Sequence, residues 1–362
     1  MLSKALVVGQ YQKKLEELAR HAHLELTVVV PPYWRDERGV LPFERAYTRG
    51  YTLLVTPLRW NGHFHLHYYP TLPRLLATVL PDLVHIDEEP YNLATWHALR
   101  AAQRVGAKTL FFTWQNILRR YPPPFVWMEA YVLRHSDYAI AGNAAAVQVL
   151  RAKNYRGAVR VIPQFGVDPE QFQPRPRAVS STFHIGAGVG RWVEEKGIDT
   201  LLRAVAGLSG EWRVSLRGSG PAYAQLAALA RALGIAARVH FEPPVPSVEM
   251  PAYYAQLDVF VMPSRTRPNW KEQFGRALVE AMACGVPVIG STCGEIPNVI
   301  GEAGLIFPED DVDALRAHLA RLRDDPTYRA ELGQRGRARV LAQFTHAHIA
   351  QATYQVYREL LG

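Results

Sequence analysis

The chain has 362 residues, 48% of them hydrophobic and 20% charged, a composition that excludes a disordered or fibrous protein and is enough for two domains with sizeable cores. No apolar run reaches the roughly 18 residues of a membrane span, and the opening residues turn charged too early for a secretory leader, so a cytoplasmic protein is expected. The net charge of +8 sits wholly in the first half: residues 1–165 hold 20 Lys and Arg against 12 Asp and Glu, and residues 166–362 hold 21 of each.

In chain order, short β-rich runs at 5–8, 24–30, 51–56, 83–86, 109–112, 138–141 and 159–162 alternate with segments of helical period at 11–22, 92–105, 125–135 and 144–153. That alternation predicts a doubly wound parallel sheet. Residues 164–181 carry three prolines and no period, so they read as a linker. Strand runs then resume at 182–187, 213–216, 239–241, 259–262, 287–290 and 305–307, with helical stretches between them and three closing helices at 312–323, 326–342 and 346–361. Two α/β halves with a cleft between them are expected. No short repeat or low-complexity tract is present, which excludes a solenoid.

The chemistry is concentrated in 271–300, KEQFGRALVEAMACGVPVIGSTCGEIPNVI. Glu272 and Glu280 are eight residues apart, which along a helix is about 12 Å and roughly 80° of rotation. That is too far to share one ion or proton and suits two carboxylates on different parts of an extended ligand. A helix-dipole acid plus an exposed neighbour explains the pair equally simply. In 186–197, GAGVGRWVEEKG, glycines 186, 188 and 190 follow a strand and precede Arg191 and Lys196. Such glycines let backbone approach a ligand, and the two cations can serve a diphosphate, although a tight turn with solvated bases has the same composition. Gly294, Glu295 and Ile296 form a third turn, between a strand and a short helix, whose free amides point at an anion, or an ordinary turn.

In the first half His85, Asp87, Glu88 and Glu89 follow a strand and so fall at the carboxyl edge of a sheet, as acceptor-side ligands or as a solvated acidic loop. The histidines 63, 65 and 67 alternate as on one strand face, with no acidic partner nearby in sequence, and no metal site is expected. Cys284 and Cys293 have no zinc or disulfide spacing and read as small buried side chains. Residues 119–127, RRYPPPFVW, mix bases and aromatics as interfacial segments do, or as a proline-stopped loop before a buried helix does. Together with the basic first half, this stretch suits peripheral contact with an anionic bilayer at the inner face of the cell membrane, although arginine-rich surfaces are common for other reasons.

In order and spacing the second-half features resemble the retaining GT-B glycosyltransferases of family 4, or glycosyl transferases group 1. The resemblance rests on VIPQFGVDPEQFQP, GVGRWVEEKGIDTLLRA, RGSGPAYAQLAALARALGIAARVHF, YAQLDVFVMPSRT and the 272–300 stretch with GEAGLIF, and it covers most of 160–345. It implies two Rossmann-like domains: an acceptor-binding one over 1–165, joined by the last helix at 345–362, and a nucleotide-sugar one over 166–344. It further implies that Glu272 holds hydroxyls of the donor hexose, Glu280 the ribose, and Arg191 and Lys196 the diphosphate. Gly188, Gly190 and Gly275 shape the donor loops, and Gly294, Glu295 and Ile296 lie beside sugar and phosphate.

The implied reaction moves a hexose (an EC 2.4 transfer) from a nucleotide diphosphate sugar to a hydroxyl of a carbohydrate or lipid-linked acceptor. Attack from the face of the leaving group needs no covalent carboxylate, no cofactor and no metal, and the pattern holds no Asp-x-Asp motif of the metal-dependent kind. A nucleic-acid partner is not implied. The family's Thr-x-His motif is absent, the text here being Thr113-Trp114-Gln115-Asn116, and Gly294-Glu295 stands where the family often has two glycines. A non-catalytic nucleotide-sugar-binding subunit and an epimerase or phosphorylase on the same architecture are the rival readings.

Overall fold

In a computed structural model, which describes residues 1–36, 39–176 and 181–362, the first apolar run is not a strand. Ala5–Val7 and Gly9–Gln12 are 3-10 turns leading into helix α1 (Lys13–Ala19). A single residue, Leu2, takes the strand's place, bridging in parallel to Val29 on one side and Ile86 on the other. Leu6 and Val7 are buried all the same. Side chains supply hydrogen bonds that a ladder would have made: the Gln12 amide donates to the Leu6 carbonyl at 2.8 Å, and Glu44 accepts from the Gly9 amide at 2.7 Å.

The elements that follow are β1 (Thr27–Val30), β2 (Tyr33–Asp36), β3 (Gly39–Pro42), β4 (Thr52–Val55), α2 (Leu72–Val79), β5 (Leu83–Ile86), α3 (Leu93–Arg104), β6 (Lys108–Thr113), α4 (Phe125–His135), β7 (Tyr138–Ala141), α5 (Ala144–Ala152) and β8 (Ala158–Val161). The antiparallel pair β2–β3 and helix α2 are additions to the sequence reading. Around Leu2 the parallel order is β4, β1, Leu2, β5, β6, β7, β8. The order reverses between Leu2 and β5, so this is the switch point at which open α/β sheets hold ligands. Strand β7 is buried along its whole length, as its uninterrupted Tyr-Ala-Ile-Ala requires, and Asn143 caps α5 by accepting from the Ala146 amide at 2.8 Å.

The chain separates into two units, one of Met1–Gly166 with His346–Gly362 and one of Val167–Thr345. The second holds β9 (Phe183–Arg191), α6 (Ile198–Ala206), β10 (Trp212–Ser219), α7 (Tyr223–Ala232), β11 (Val239–Glu242), α8 (Met250–Tyr254), β12 (Val259–Met262), α9 (Arg276–Ala283), β13 (Val288–Ser291), α10 (Ile296–Ile300), β14 (Leu305–Phe307), α11 (Val312–Asp324) and α12 (Pro326–Gln343). Its six strands are all parallel, in the order β11-β10-β9-β12-β13-β14, with the switch point between β9 and β12. One face packs Ile185, Val214 and Val261 against Leu201 of α6 and Leu315 and Leu319 of α11. A second core packs Phe260 and Val288 with Leu278 and Met282 of α9 and Val340 of α12.

Part of the expected linker belongs to this unit: Val167 bridges Thr345, and Phe172 is buried in the second core. Residues 177–180 of that segment lie outside the described residues.

The last helix, α13 (His346–Leu361), returns to the first unit and packs along α1. Ile349, Ala350, Val356 and Tyr357 join Leu15, Leu18, Leu110 and Ile140 in one core. Leu361, at the end of the helix, is exposed. The Tyr357 hydroxyl and His85 Nδ1 are hydrogen-bonded at 2.7 Å. Burial, with Lys14 and the amino terminus adding, keeps His85 well below the ordinary imidazole range, so the ring is neutral.

Candidate active site

The glycines at 186, 188 and 190 do not follow strand β9; they lie inside it. The strand runs on to Arg191, and its register with β10 slips between Leu216 and Gly218. Gly188 and Gly190 take φ of +65° and +103°, where a side chain would be strained, and Trp192 braces the segment by donating from Nε1 to the Gly188 carbonyl at 2.7 Å. Arg191 ends the strand exposed at the carboxyl edge. A short 3-10 turn, Glu194–Lys196, follows, and Gly197 (φ +62°) lets the chain press on the end of β12: a Cβ there would lie 1.9 Å from the Pro263 carbonyl oxygen.

Across the switch point, the loop after β12 carries Glu272. Helix α9 begins only at Arg276, behind Gly275 at φ +83°, so the helical separation expected between Glu272 and Glu280 does not apply. Glu272 is instead held by the 194–196 turn. Lys196 Nζ donates to Glu272 Oε2 at 2.7 Å, with the ammonium 4.7 Å from the centre of the Trp270 ring, and Ser264 Oγ approaches the same oxygen at 3.3 Å. The Arg265 amide donates to the Glu195 carbonyl at 2.8 Å and Arg267 pairs with Glu194, so loop and turn form one body.

Gly294 seats the third anchor on that body, since a Cβ there would fall 2.2 Å from the Glu272 carbonyl oxygen. Two of the amides expected to face a ligand are committed within the protein: that of Glu295 donates to the Glu272 carbonyl at 3.0 Å and that of Ile296 to the Cys293 carbonyl at 3.2 Å. The turn's contribution is thus to fix the Glu272 backbone. Burial raises the Glu295 carboxyl above its usual range.

Glu280, on α9, is buried and accepts from the Tyr254 hydroxyl at 2.9 Å and from Arg276 Nε at 2.8 Å. Arg276 was discoverable in the sequence, being four residues earlier on the same helix. Tyr254 and Trp270 lie 26 and 74 residues from the groups they touch, and only the fold reveals them. One Asp-x-Asp spacing does occur, at Asp311 and Asp313, but Asp311 caps α11 by accepting from the Ala314 amide and Asp313 pairs with Arg316.

In the first unit, Lys4 and Glu88 flank the switch point. The acidic stretch is not solvated: Asp87, Glu88 and Glu89 are all buried, and His85 lies within β5 rather than after it. Glu88 accepts from the Lys4 amide at 3.0 Å, pairs with the Lys4 ammonium and lies 3.4 Å from His67 Nε2. The histidines 63, 65 and 67 are therefore not on a strand face, and His67 does have an acidic partner; among the described residues no set of three or more His, Cys, Asp or Glu is placed to hold a metal ion. Glu89 accepts from Thr113 Oγ1 at 2.6 Å and the Trp114 amide at 2.8 Å, tying the ends of β5 and β6 together where the family's histidine is absent.

The adjacent carboxyls titrate apart. Burial raises Glu89 to about 7, against those hydrogen bonds. Burial works the same way on Glu88, but Lys4 and His67 outweigh it and hold Glu88 at about 2. Between pH 4.5 and about 7 the folded chain therefore keeps a proton on Glu89 that the unfolded chain has lost, and stability falls as pH rises through that window. Glu88 acts in the opposite sense, its stabilisation being present above pH 4.5 and lost as pH falls toward 2. Glu89→Gln is expected to gain on the wild type by on the order of 3 kcal/mol between pH 5 and pH 8. Urea unfolding at both pH values measures this, and a gap that does not change with pH would contradict it.

Residues 172–339 match the family described as glycosyl transferases group 1, and residues 9–164 match the glycosyl transferase 4-like domain. The chain is 35% identical over 187 residues to a GDP-mannose-dependent alpha-(1-6)-phosphatidylinositol monomannoside mannosyltransferase of Mycolicibacterium smegmatis, covering 48% of this chain and 49% of that one. It is 32% identical over 260 residues to the MMP alpha-(1->4)-mannosyltransferase of Mycolicibacterium hassiacum, covering 69% and 60%. The matches thus span about half to three fifths of the length of these relatives. Among solved structures, Anabaena HepE in complex with UDP is similar at a TM-score of 0.76 and 18% identity over 99% of both chains. Sucrose-phosphate synthase of Thermosynechococcus elongatus is similar at 0.70 and 23% identity, over 97% of this chain and 92% of that one. Two parallel sheets of Rossmann type, matched in order by the two halves of one enzyme family, place the chain among the GT-B glycosyltransferases of group 1.

Proposed function

We propose that the protein transfers a hexose from a nucleotide diphosphate sugar to an acceptor hydroxyl, with retention at the anomeric carbon. The observation that carries this reading is the cluster of Lys196, Glu272 and the Gly294 turn at the switch point of the second unit. Transfer requires a diphosphate to leave while positive charge develops on the sugar. Lys196 and Arg191 are the cations that take up the leaving charge, and the attachment of Lys196 to a braced turn and its pairing with Glu272 limit the reorganisation needed as it develops. Glu272 faces the donor hexose, and Glu280, steadied by Tyr254 and Arg276, the ribose. Retention agrees with the name of the Mycolicibacterium smegmatis relative, which couples GDP-mannose, an α-linked donor, to an alpha-(1-6) linkage. The relatives' names favour a mannosyl donor and a lipid-linked or sugar acceptor, met by the first unit at the strand-end edge that carries Glu88 and Glu89, with His85 inside β5 behind it.

Peripheral contact with an anionic bilayer is part of the proposal. No helix among the described residues is long and apolar enough to cross a membrane. Leu118 and Trp127, by contrast, are 63% and 67% exposed beside the exposed Arg119 and Arg120, as an interfacial segment requires. The test is a panel of nucleotide sugars scored by thermal shift, followed by transfer from the best ligand to a polyprenyl-phosphate or phosphoinositide acceptor in anionic vesicles. A raised melting temperature, an α-linked product and vesicle binding that weakens with salt are expected. Donor binding without transfer or hydrolysis would leave a binding subunit in place of an enzyme, and salt-independent vesicle binding would remove the membrane contact.

A further inference from the structure

The resemblance implies separate tasks for Lys196, at the diphosphate, and Glu272, at the sugar, yet their side chains are in direct contact. The pair is largely sheltered, with side-chain exposures of 28% and 12%, and Trp270 lies against the ammonium at 4.7 Å. A lysine is otherwise a loosely held point charge on a flexible stem. Here the carboxylate, the ring face and the braced turn confine it before any ligand arrives.

We propose that Glu272 is a product-release residue: its carboxylate competes with the nucleoside diphosphate for Lys196 and reclaims the ammonium once the sugar has been transferred, with Trp270 positioning the ammonium for the exchange. The proposal rests on the reading that Lys196 grips the diphosphate. Its physical basis is a change of charge during the reaction. While the hexose is attached, Glu272 gains hydrogen bonds from its hydroxyls that offset the repulsion between carboxylate and diphosphate. After transfer those hydrogen bonds are gone and, once the proton of the acceptor hydroxyl has passed to solvent, the diphosphate carries one more negative charge, so the same carboxylate now opposes binding in a partly desolvated site. Glu272 therefore favours donor over product.

The consequence is opposite in sign to that of an ordinary binding residue. Glu272→Gln keeps the shape and removes the charge, so it should bind GDP or UDP about tenfold tighter than the wild type while binding the corresponding nucleotide sugar more weakly. Glu272→Asp, which keeps the charge, should not tighten the diphosphate. Lys196→Ala should weaken the diphosphate about tenfold or more, and in a Lys196→Ala background Glu272→Gln should tighten it clearly less than in the wild type, because the repulsion is then relieved but there is no ammonium left to compete for. Trp270→Ala should weaken the diphosphate a few-fold, and Trp270→Phe, which restores a ring face, should recover most of that loss.

Calorimetric titration of the full chain with GDP, UDP and their nucleotide sugars reads all of these. If Lys196→Ala leaves diphosphate affinity unchanged, or the wild type binds neither nucleotide, the assignment of the site itself fails. If Lys196→Ala weakens binding but Glu272→Gln does not tighten it, the site stands and the product-release role is overturned.

Discussion

A chain ending at Thr345 is expected to lose the fold of the first unit while the unit of Val167–Thr345 keeps its own. Removing α13 strips Ile349, Val356 and Tyr357 from a core shared with Leu15, Leu18, Leu110 and Ile140. At about 1.5–3 kcal/mol for each large apolar side chain, the lost burial rivals the roughly 5–15 kcal/mol that holds a whole domain. It also leaves His85, buried in β5, without the Tyr357 hydroxyl. Hydrogen exchange should show β5, β6 and β7 unprotected and β9, β12 and β13 still protected. Retained protection in the first three, or preferential loss in the second set, would contradict the packing described above.

Gly294→Ala is expected to lower transfer by about 100-fold or more, the cost of a misplacement near 1 Å at a reacting centre. The new methyl would lie 2.2 Å from the Glu272 carbonyl oxygen and 2.9 Å from its amide nitrogen. Both are backbone atoms, so the clash can be relieved only by moving the residue proposed to face the sugar. The φ of +57° adds strain of about 1–3 kcal/mol. Gly106→Ala is the control: it shares a positive φ, +75°, but a Cβ there meets nothing within 4 Å. It should cost some stability and no activity. Equal activity losses in both variants would show that general destabilisation, not displacement of Glu272, is responsible.

The sheet alternation was readable because several of the parallel strands are short, mostly apolar runs; 83–86, 138–141, 259–262 and 305–307 coincide with β5, β7, β12 and β14. Helices α4 and α13 were equally legible from their period. The run at 5–8 misled because Leu6 and Val7 satisfy the same demand for burial in a 3-10 turn, and the strand slot is filled by Leu2 outside the run. The glycines of 186–190 were read as a turn although a bulged strand end uses them as well.

Within the candidate site the residue types could be read, but their pairings could not. Lys196 and Glu272 are 76 residues apart, and nothing local distinguishes a cation awaiting a ligand from one already beside a carboxylate. Similarly, Glu88 looks like a surface acid until Lys4 and His67, 84 and 21 residues away in sequence, are found against it.

Because the first unit is assembled from both ends of the chain, the order of synthesis matters to how it forms. The ribosome releases Met1–Gly166 first, yet α13, which covers α1 and contacts β5 through Tyr357, emerges only after the whole of the second unit. The unit made second has all its own residues available before that moment and can close without waiting. The earlier unit must persist meanwhile with the apolar face of Leu15 and Leu18 uncovered. A nascent chain of this protein thus carries an uncovered apolar face while the whole of the second unit is being made, and pausing anywhere before α13 would prolong that exposure.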